Sequence, residues 1–343
     1  MRKFYILLLC CSVLLASSQD IHFSQTFNAP LWVNPALTGF TPGVARIGVN
    51  YRNQWFSGIN NGFFKSPFMT TAVNFDMPVQ VKKDAVGVGV FIASDQQGAN
   101  TFNGVIANVS ASYIKTLGKE RNHFLSAGLQ IGGTFYSIKT QNLQWASQFD
   151  ANNVYNSSLT GENLSRNNAG YVNLNAGLFW SGVFKQKVGM YAGFAVNNAT
   201  VPKYNVIDGQ KRSLYFRWNV NAGLDVIVAK KHHILPSGFF TRQGVNDQLN
   251  TGIGYGYDFS ERAGITLGIY NRIHNLTKGV TGDAVIPYFG FNVSGFKLGL
   301  SYDATVSNFK NAGTGVGALE IYLSYTLAKK NYNFRNAMIC PRF

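Results

Sequence analysis

Charge is scarce in this chain: 13% of residues are Asp, Glu, Lys or Arg, about half the share usual in soluble globular proteins. A soluble enzyme has little reason to be so weakly ionised. A sheet with one face in lipid and the other polar but sparsely charged has a good one. Cysteine is sparse too. Cys10 and Cys11 lie in the N-terminal apolar stretch and Cys340 lies near the other end. With the first two removed by processing, the mature chain has no internal disulfide framework and no cysteine-based zinc site. Beyond the N-terminus no apolar run reaches about eighteen residues, so no transmembrane helix is expected. With histidine also rare, no Ser/His/Asp constellation can be assembled. These absences point away from catalysis, and neither a metal nor another cofactor is expected.

Aromatic residues and glycine are plentiful, and Lys plus Arg outnumber Asp plus Glu by 30 to 15. The basic residues are dispersed along the chain, unlike the clustered patch of a nucleic-acid binder, so no nucleic acid is expected as a partner. Residues 1–18 have the layout of an export signal. Arg2 and Lys3 precede the apolar stretch Phe4 to Leu15, and Ala16-Ser17-Ser18 offers a small-residue site with cleavage between Ser18 and Gln19. Leu9 before Cys10 argues against a lipoprotein attachment site.

An exported chain without a membrane helix can still span a membrane as a closed barrel, because closure satisfies every backbone N–H and C=O. The remaining sequence has the right rhythm. Ala45, Ile47, Val49 and Tyr51 alternate with Arg46, Gly48, Asn50 and Arg52. Val105 to Tyr113, Leu214 to Asp225 and Ala318 to Tyr325 repeat the pattern. A period of two is the signature of strands. About fourteen such segments occur, starting near residues 44, 67, 84, 101, 123, 170, 187, 213, 232, 247, 262, 282, 296 and 315. Short, often basic connections (Lys82-Lys83, Lys119 to Arg121, Lys185 to Lys187, Lys230 to His232) alternate with a set that includes long polar ones. The long ones are Asn53 to Ser66, Ile138 to Ala169, Asn197 to Arg212 and Arg272 to Gly282. A soluble β-sandwich has no reason to sort its loops in this way. The expectation is therefore an all-β transmembrane outer-membrane β-barrel of about fourteen antiparallel strands, with short periplasmic turns and longer extracellular loops.

Facing follows from the same alternation. Arg46, Arg52, Arg217, Asp225, Asp258, Lys297 and Glu320 fall on the polar, lumenal face, since Arg or Lys facing lipid at mid-bilayer costs roughly 2–4 kcal/mol. Tyr51, Phe75, Tyr113 and Trp180 are candidates for interfacial girdles. The expected division is a signal over 1–18, an N-terminal periplasmic or plug segment over 19–43, the barrel over 44–327 and a periplasmic tail over 328–343.

Several motifs resemble one family. Gln19-Asp20-Ile21-His22-Phe23-Ser24-Gln25 is followed by Asn34-Pro35-Ala36-Leu37-Thr38-Gly39. The first strand ends in Tyr51-Arg52-Asn53-Gln54-Trp55. Gly87-Val88-Gly89-Val90 leads to Asp95 and Gly98, and the chain finishes Cys340-Pro341-Arg342-Phe343. The chain is similar to the PorP/SprF family of Bacteroidetes membrane proteins, although family members commonly carry Pro where Ile21 stands. The resemblance implies an outer-membrane partner of the type IX secretion and gliding machinery. Such a protein supports export or surface anchoring of a cognate secreted adhesin through that protein's C-terminal domain, with some relatives meeting the machine's periplasmic ring. It also raises Tyr51, Arg52, Asn53, Gln54 and Trp55 as partner-binding candidates, with Arg52 and Trp55 bracing a loop or plug. The plain alternative for this segment is an interfacial aromatic beside lumenal polar groups.

Other features favour structural readings. Gly252, Gly254 and Gly256 are spaced by two along a strand, where a phosphate loop needs a turn opening a helix. His232 and His233 point to opposite faces and lack further metal ligands nearby. The rival function is a general diffusion porin with a mild anion preference from lumenal arginines.

Overall fold

The computed structural model describes residues 20–55, 68–97, 102–139, 145–150, 154–156, 158–159, 167–204, 212–274, 276, 279–307 and 317–327. The signal segment, its Ser18–Gln19 cleavage site and the tail 328–343 lie outside them.

Strong alternation and frequent β-branched and aromatic residues produce long antiparallel strands. In chain order they are β1 (Ala45–Gln54), β2 (Phe68–Val81), β3 (Asp84–Gln97), β4 (Phe102–Leu117), β5 (His123–Ile138), β6 (Asn168–Phe184) and β7 (Val188–Asn197). A two-residue pair, β8 (Lys203–Tyr204) and β9 (Arg212–Ser213), then forms its own small sheet. The barrel resumes with β10 (Arg217–Ala229), β11 (His232–Gln243), β12 (Asn246–Ser260) and β13 (Ala263–His274). It closes with β14 (Thr281–Val293), β15 (Phe296–Thr305) and β16 (Gly317–Leu327). Fourteen strands form one closed barrel in which each pairs with its sequence neighbour in the wall and β1 pairs with β16. Closure leaves no unpaired edge, the condition for crossing a bilayer with strands. No helix among the described residues is long and apolar enough to cross a membrane.

The strand expected from about residue 213 begins at Arg217 instead. Leu214 is buried and its N–H donates to Pro202 O, while Tyr215 and Phe216 are exposed, so the apolar alternation continues into a loop. Elsewhere the two faces separate cleanly. Val109, Leu129, Ile131, Val172 and Leu178 are each more than half exposed on the outer wall, while Asn108, Ser110, Gln130 and Asn173 are buried inside. An outward apolar surface of this kind is what lipid covers.

Both ends of the barrel meet at one rim. Val44 N donates to Leu327 O at 2.7 Å, closing the seam. This rim carries the short turns 82–83, 118–122, 185–187, 230–231, 261–262 and 294–295. The opposite rim carries the longer connections, above all 139–167, and one tight turn at 244–245. Short turns mark the periplasmic side of an outer-membrane barrel.

Candidate functional site

The lumen is occupied by the chain's own residues 20–44. Asp20 sits at the long-loop rim, where its N–H donates to Gln243 Oε1, and its carboxylate accepts from Asn198 Nδ2 at 2.8 Å and lies 3.6 Å from Arg217. The segment then descends to the short-turn rim before turning into β1. Its local structure is short-range: 3₁₀ turns at Thr26–Asn28 and Pro35–Leu37 and one α-turn at Pro30–Val33. Pro30 and Pro35 each open a turn, where the missing N–H costs nothing. The Asn34 side chain accepts from Ala36 N and donates to Leu178 O and Phe194 O, tying the second turn to the wall at β6 and β7.

Two apolar clusters hold the middle of this plug. Leu31 and Trp32 pack with Phe91, Ala93 and Ile106, and Trp32 stacks on Phe91 with centroids 5.9 Å apart. Leu37 and Phe40 pack with Ala85, Ile114, Phe124 and Phe179. Phe27 adds ring contacts to Tyr270 and Tyr288. The Arg217 guanidinium lies 3.8 Å above the Trp32 ring, a cation–π contact strengthened by desolvation.

The lower plug runs close against the wall, and small residues there make room. Gly39 has φ +70°, and a Cβ on it would collide with Gly87 Cα; a Cβ on Gly87 would collide with Thr38 O. Ser112 Oγ donates to Thr38 O, Thr38 Oγ1 to Ser110 Oγ, Ser126 Oγ to Ala36 O, and Gly39 N to Asp76 Oδ2. Asp76 in turn takes two hydrogen bonds from Arg46, both at 2.9 Å.

The upper plug is latched by a buried ionic cluster. Arg52 is 2% exposed and donates to Asp303 at 2.8 Å and Glu320 at 3.2 Å. Arg272 donates to Asp303 at 2.7 Å and to Asp283 at 2.6 Å. Ser24 and Gln25 enter this cluster through their backbone: their N–H groups donate to the two oxygens of Glu320 at 2.7 and 3.0 Å. Ser24 Oγ donates to Asp303, and Gln25 Nε2 donates to Ser301 and Glu320 O. His22, half-buried above the cluster, has its pKa held well below its ordinary value, first by burial and then by Arg52 and Arg272.

The singled-out residues thus fall into distinct places. Arg46, Arg217, Asp225, Asp258 and Glu320 all face the lumen. Asp225 and Asp258 bracket His233, at 2.7 and 3.3 Å, while His232 turns outward to the Tyr255 hydroxyl. Lys297 lies over the Tyr322 ring. Gly252, Gly254 and Gly256 face the lumen beneath Tyr270, Leu235 and His233. The run Tyr51 to Trp55 does not form one patch. Tyr51 and Asn53 bond to each other on the outer wall, and Arg52 and Gln54 point inward. Trp55, at φ +62°, caps the rim with its ring edge-on to Phe68 at 4.9 Å. Arg52, Gln54, Trp55 and Phe68 line a cavity of ≈ 360 Å³ at the lumen's outer mouth, together with Asp20, His22 and Asp95. Asp76, Arg272, Asp283 and Asp303 are the charged members that alternation alone does not single out, because their importance lies in partners far away in sequence.

The motif residues of the sequence therefore meet inside the barrel: Ser24 and Gln25 with Glu320 near the start of β16, Asn34 with β6 and β7, Thr38 and Gly39 with Gly87, and Arg52 in the latch. The family described as type IX secretion system membrane protein PorP/SprF matches residues 15–325. The chain belongs to this family. It is a membrane component of the type IX secretion system, its barrel sits in the bacterial outer membrane, and other components of that machinery are its partners. No curated protein matches the chain. Solved structures similar to it are outer-membrane channels. One is a deletion mutant of the TodX monoaromatic hydrocarbon channel (TM-score 0.54, 12% identity, 88% of this chain and 94% of that one). Another is the toluene transporter TbuX of Ralstonia pickettii (0.51, 10%, 88% and 94%). A third is a FadL homologue of Pseudomonas aeruginosa (0.50, 11%, 85% and 92%). At these identities the PorP/SprF chain shares their fold, and the likeness carries nothing further.

Proposed function

We propose that this barrel holds a cognate secreted surface protein, of the adhesin kind, at the cell exterior by binding its C-terminal domain on the long-loop rim. The observation that carries this reading is the filled lumen. Residues 20–44 thread it from rim to rim and bury Phe23, Leu31, Val33, Ala36, Leu37 and Phe40, so what the barrel offers the exterior is a surface. That surface includes the mouth cavity beside Trp55 and the connection 139–167, which is rich in Asn, Ser and Gln. Neutral polar side chains suit hydrogen bonding to a folded domain, and the connection carries a 3₁₀ turn at Ala146–Gln148 and a bridge between Phe149 and Tyr155. A diffusion porin needs an open path, and both the plug and the family membership weigh against it.

The test is to purify the barrel in mild detergent from its native membrane, with and without residues 140–166. The intact barrel should bring down one surface protein through its C-terminal domain, and the shortened barrel should come down alone. Recovery of the same protein with both would contradict the reading.

A further inference from the structure

The two rims differ in charge as well as in loop length. Five of the six short turns carry Lys or Arg: Lys82-Lys83, Lys119 and Arg121, Lys185 and Lys187, Lys230-Lys231, and Arg262. All nine cations are exposed, and the same turns hold two acids, Glu120 and Glu261. Nine cations packed into a few tight turns form a collar, since each turn lies beside the next around the barrel.

The collar sits directly on outward-facing aromatic groups. His123, two residues after Arg121, stacks on Trp180 and meets Phe184 edge-on, the residue before Lys185. His232, next to Lys231, bonds the Tyr255 hydroxyl at 2.6 Å and packs on Tyr257 with centroids 5.0 Å apart. Tyr113 bonds Asp84, beside Lys83, and Lys115 on the same outer face lies 3.6 Å from that carboxylate. Aromatic side chains with a polar tip mark the headgroup level of a bilayer. Cations fixed at that level face lipid phosphates laterally.

We propose that this collar binds anionic phospholipid headgroups of the leaflet on the short-turn side, concentrating them around the barrel. A juxtamembrane cluster of Lys and Arg attracts anionic lipid, and the attraction fades within a Debye length. The tethering of each cation in a turn of two to five residues keeps it near the surface where that attraction acts. An acidic protein surface is the rival occupant. The aromatic shelf favours lipid, because it places the charges of four turns, from β2/β3 round to β10/β11, beside the bilayer instead of on one projecting face.

The test uses the folded full-length barrel in phosphatidylcholine vesicles containing a trace of spin-labelled lipid. The fraction of immobilised label is compared for phosphatidylglycerol and phosphatidylcholine. Wild type should immobilise phosphatidylglycerol several-fold more strongly, and the preference should collapse in about 1 M salt, where the Debye length is about 3 Å. The variant K82Q/K83Q/K230Q/K231Q, with folding verified by heat-shifted gel mobility, should lose most of the preference. Neutralising Lys65 and Lys203, in the connections on the other rim, should leave it intact. Equal immobilisation of the two lipids by wild type overturns the proposal, and this is also the result expected if the collar serves an acidic protein. A preference that survives the four collar substitutions, or that the Lys65 and Lys203 changes abolish, overturns it too.

Discussion

Arg52 and Asp303, 251 residues apart in the chain, meet at 2.8 Å inside the lumen. Each is almost wholly buried, and each also touches Ser24 of the plug. This contact joins the end of the first strand, the penultimate strand and the N-terminal segment in one cluster. Removing one partner of a buried ion pair costs roughly 3–5 kcal/mol, because the other charge is left unpaired. Arg52→Ala leaves Glu320 and Asp303 with Arg272 as the nearest cation, so a loss of that order is expected. It should appear as a lower urea midpoint in the folded-to-unfolded gel shift, with Arg52→Lys retaining part of the stability.

The close approach of Gly39 and Gly87 leads to a second expectation. Gly87→Leu leaves the wall's backbone pairing intact but fills the space taken by Thr38 and Gly39. The plug should then be displaced while the barrel still forms. In planar bilayers the wild-type protein should show low conductance, and Gly87→Leu and a deletion of residues 20–40 should both show larger, steadier channels. Equal conductance in all three would mean that the plug does not close the lumen.

Facing gives a third. Val109→Arg and Leu129→Arg place a cation on the lipid side and should each cost roughly 2–4 kcal/mol if near the midplane. Thr266→Arg should be tolerated, since Thr266 lines a lumenal cavity of ≈ 260 Å³ that also contains Asp258. Asn108→Arg should not be tolerated, although it faces inward, because Asn108 is packed against Gln130 and Gly132. Vesicle-folding yields of the four variants check this order.

His22 supplies a pH dependence. Its folded pKa is depressed, so the folded state resists the proton that the unfolded or undocked segment takes up below about 6.5. The stability contributed by neutral His22 is therefore full above that value and is lost as pH falls below it. Amide exchange at residues 21–28 should quicken between pH 8 and 5 relative to strands of the wall, and His22→Gln should flatten the difference.

Much of the barrel was legible because a period of two both defines strands and sorts their faces. It placed Arg46, Arg217, Asp225, Asp258 and Glu320 in the lumen without reference to any partner. Pairing was not legible: nothing near Arg52 in sequence announces Asp303, or near Asp76 announces Gly39. The plug did leave a trace. Phe91, Ile106, Ile114 and Phe179 are apolar residues on the polar face, and they interrupt the lumenal pattern where Leu31, Trp32, Leu37 and Phe40 press against the wall. The small hairpin at Lys203–Tyr204 and Arg212–Ser213 lies in a connection, where Leu214, Tyr215 and Phe216 imitate the start of a strand.

The most direct test of the anchoring account is the surface proteome of living cells carrying the intact gene, a deletion of the gene, or the variant lacking residues 140–166. Both mutants should lose one cognate surface protein from protease-accessible and biotin-labelled fractions, with other type IX cargo largely retained and the shortened barrel still folded in the outer membrane. An unchanged surface profile in both mutants, with altered uptake of small solutes in its place, would contradict it.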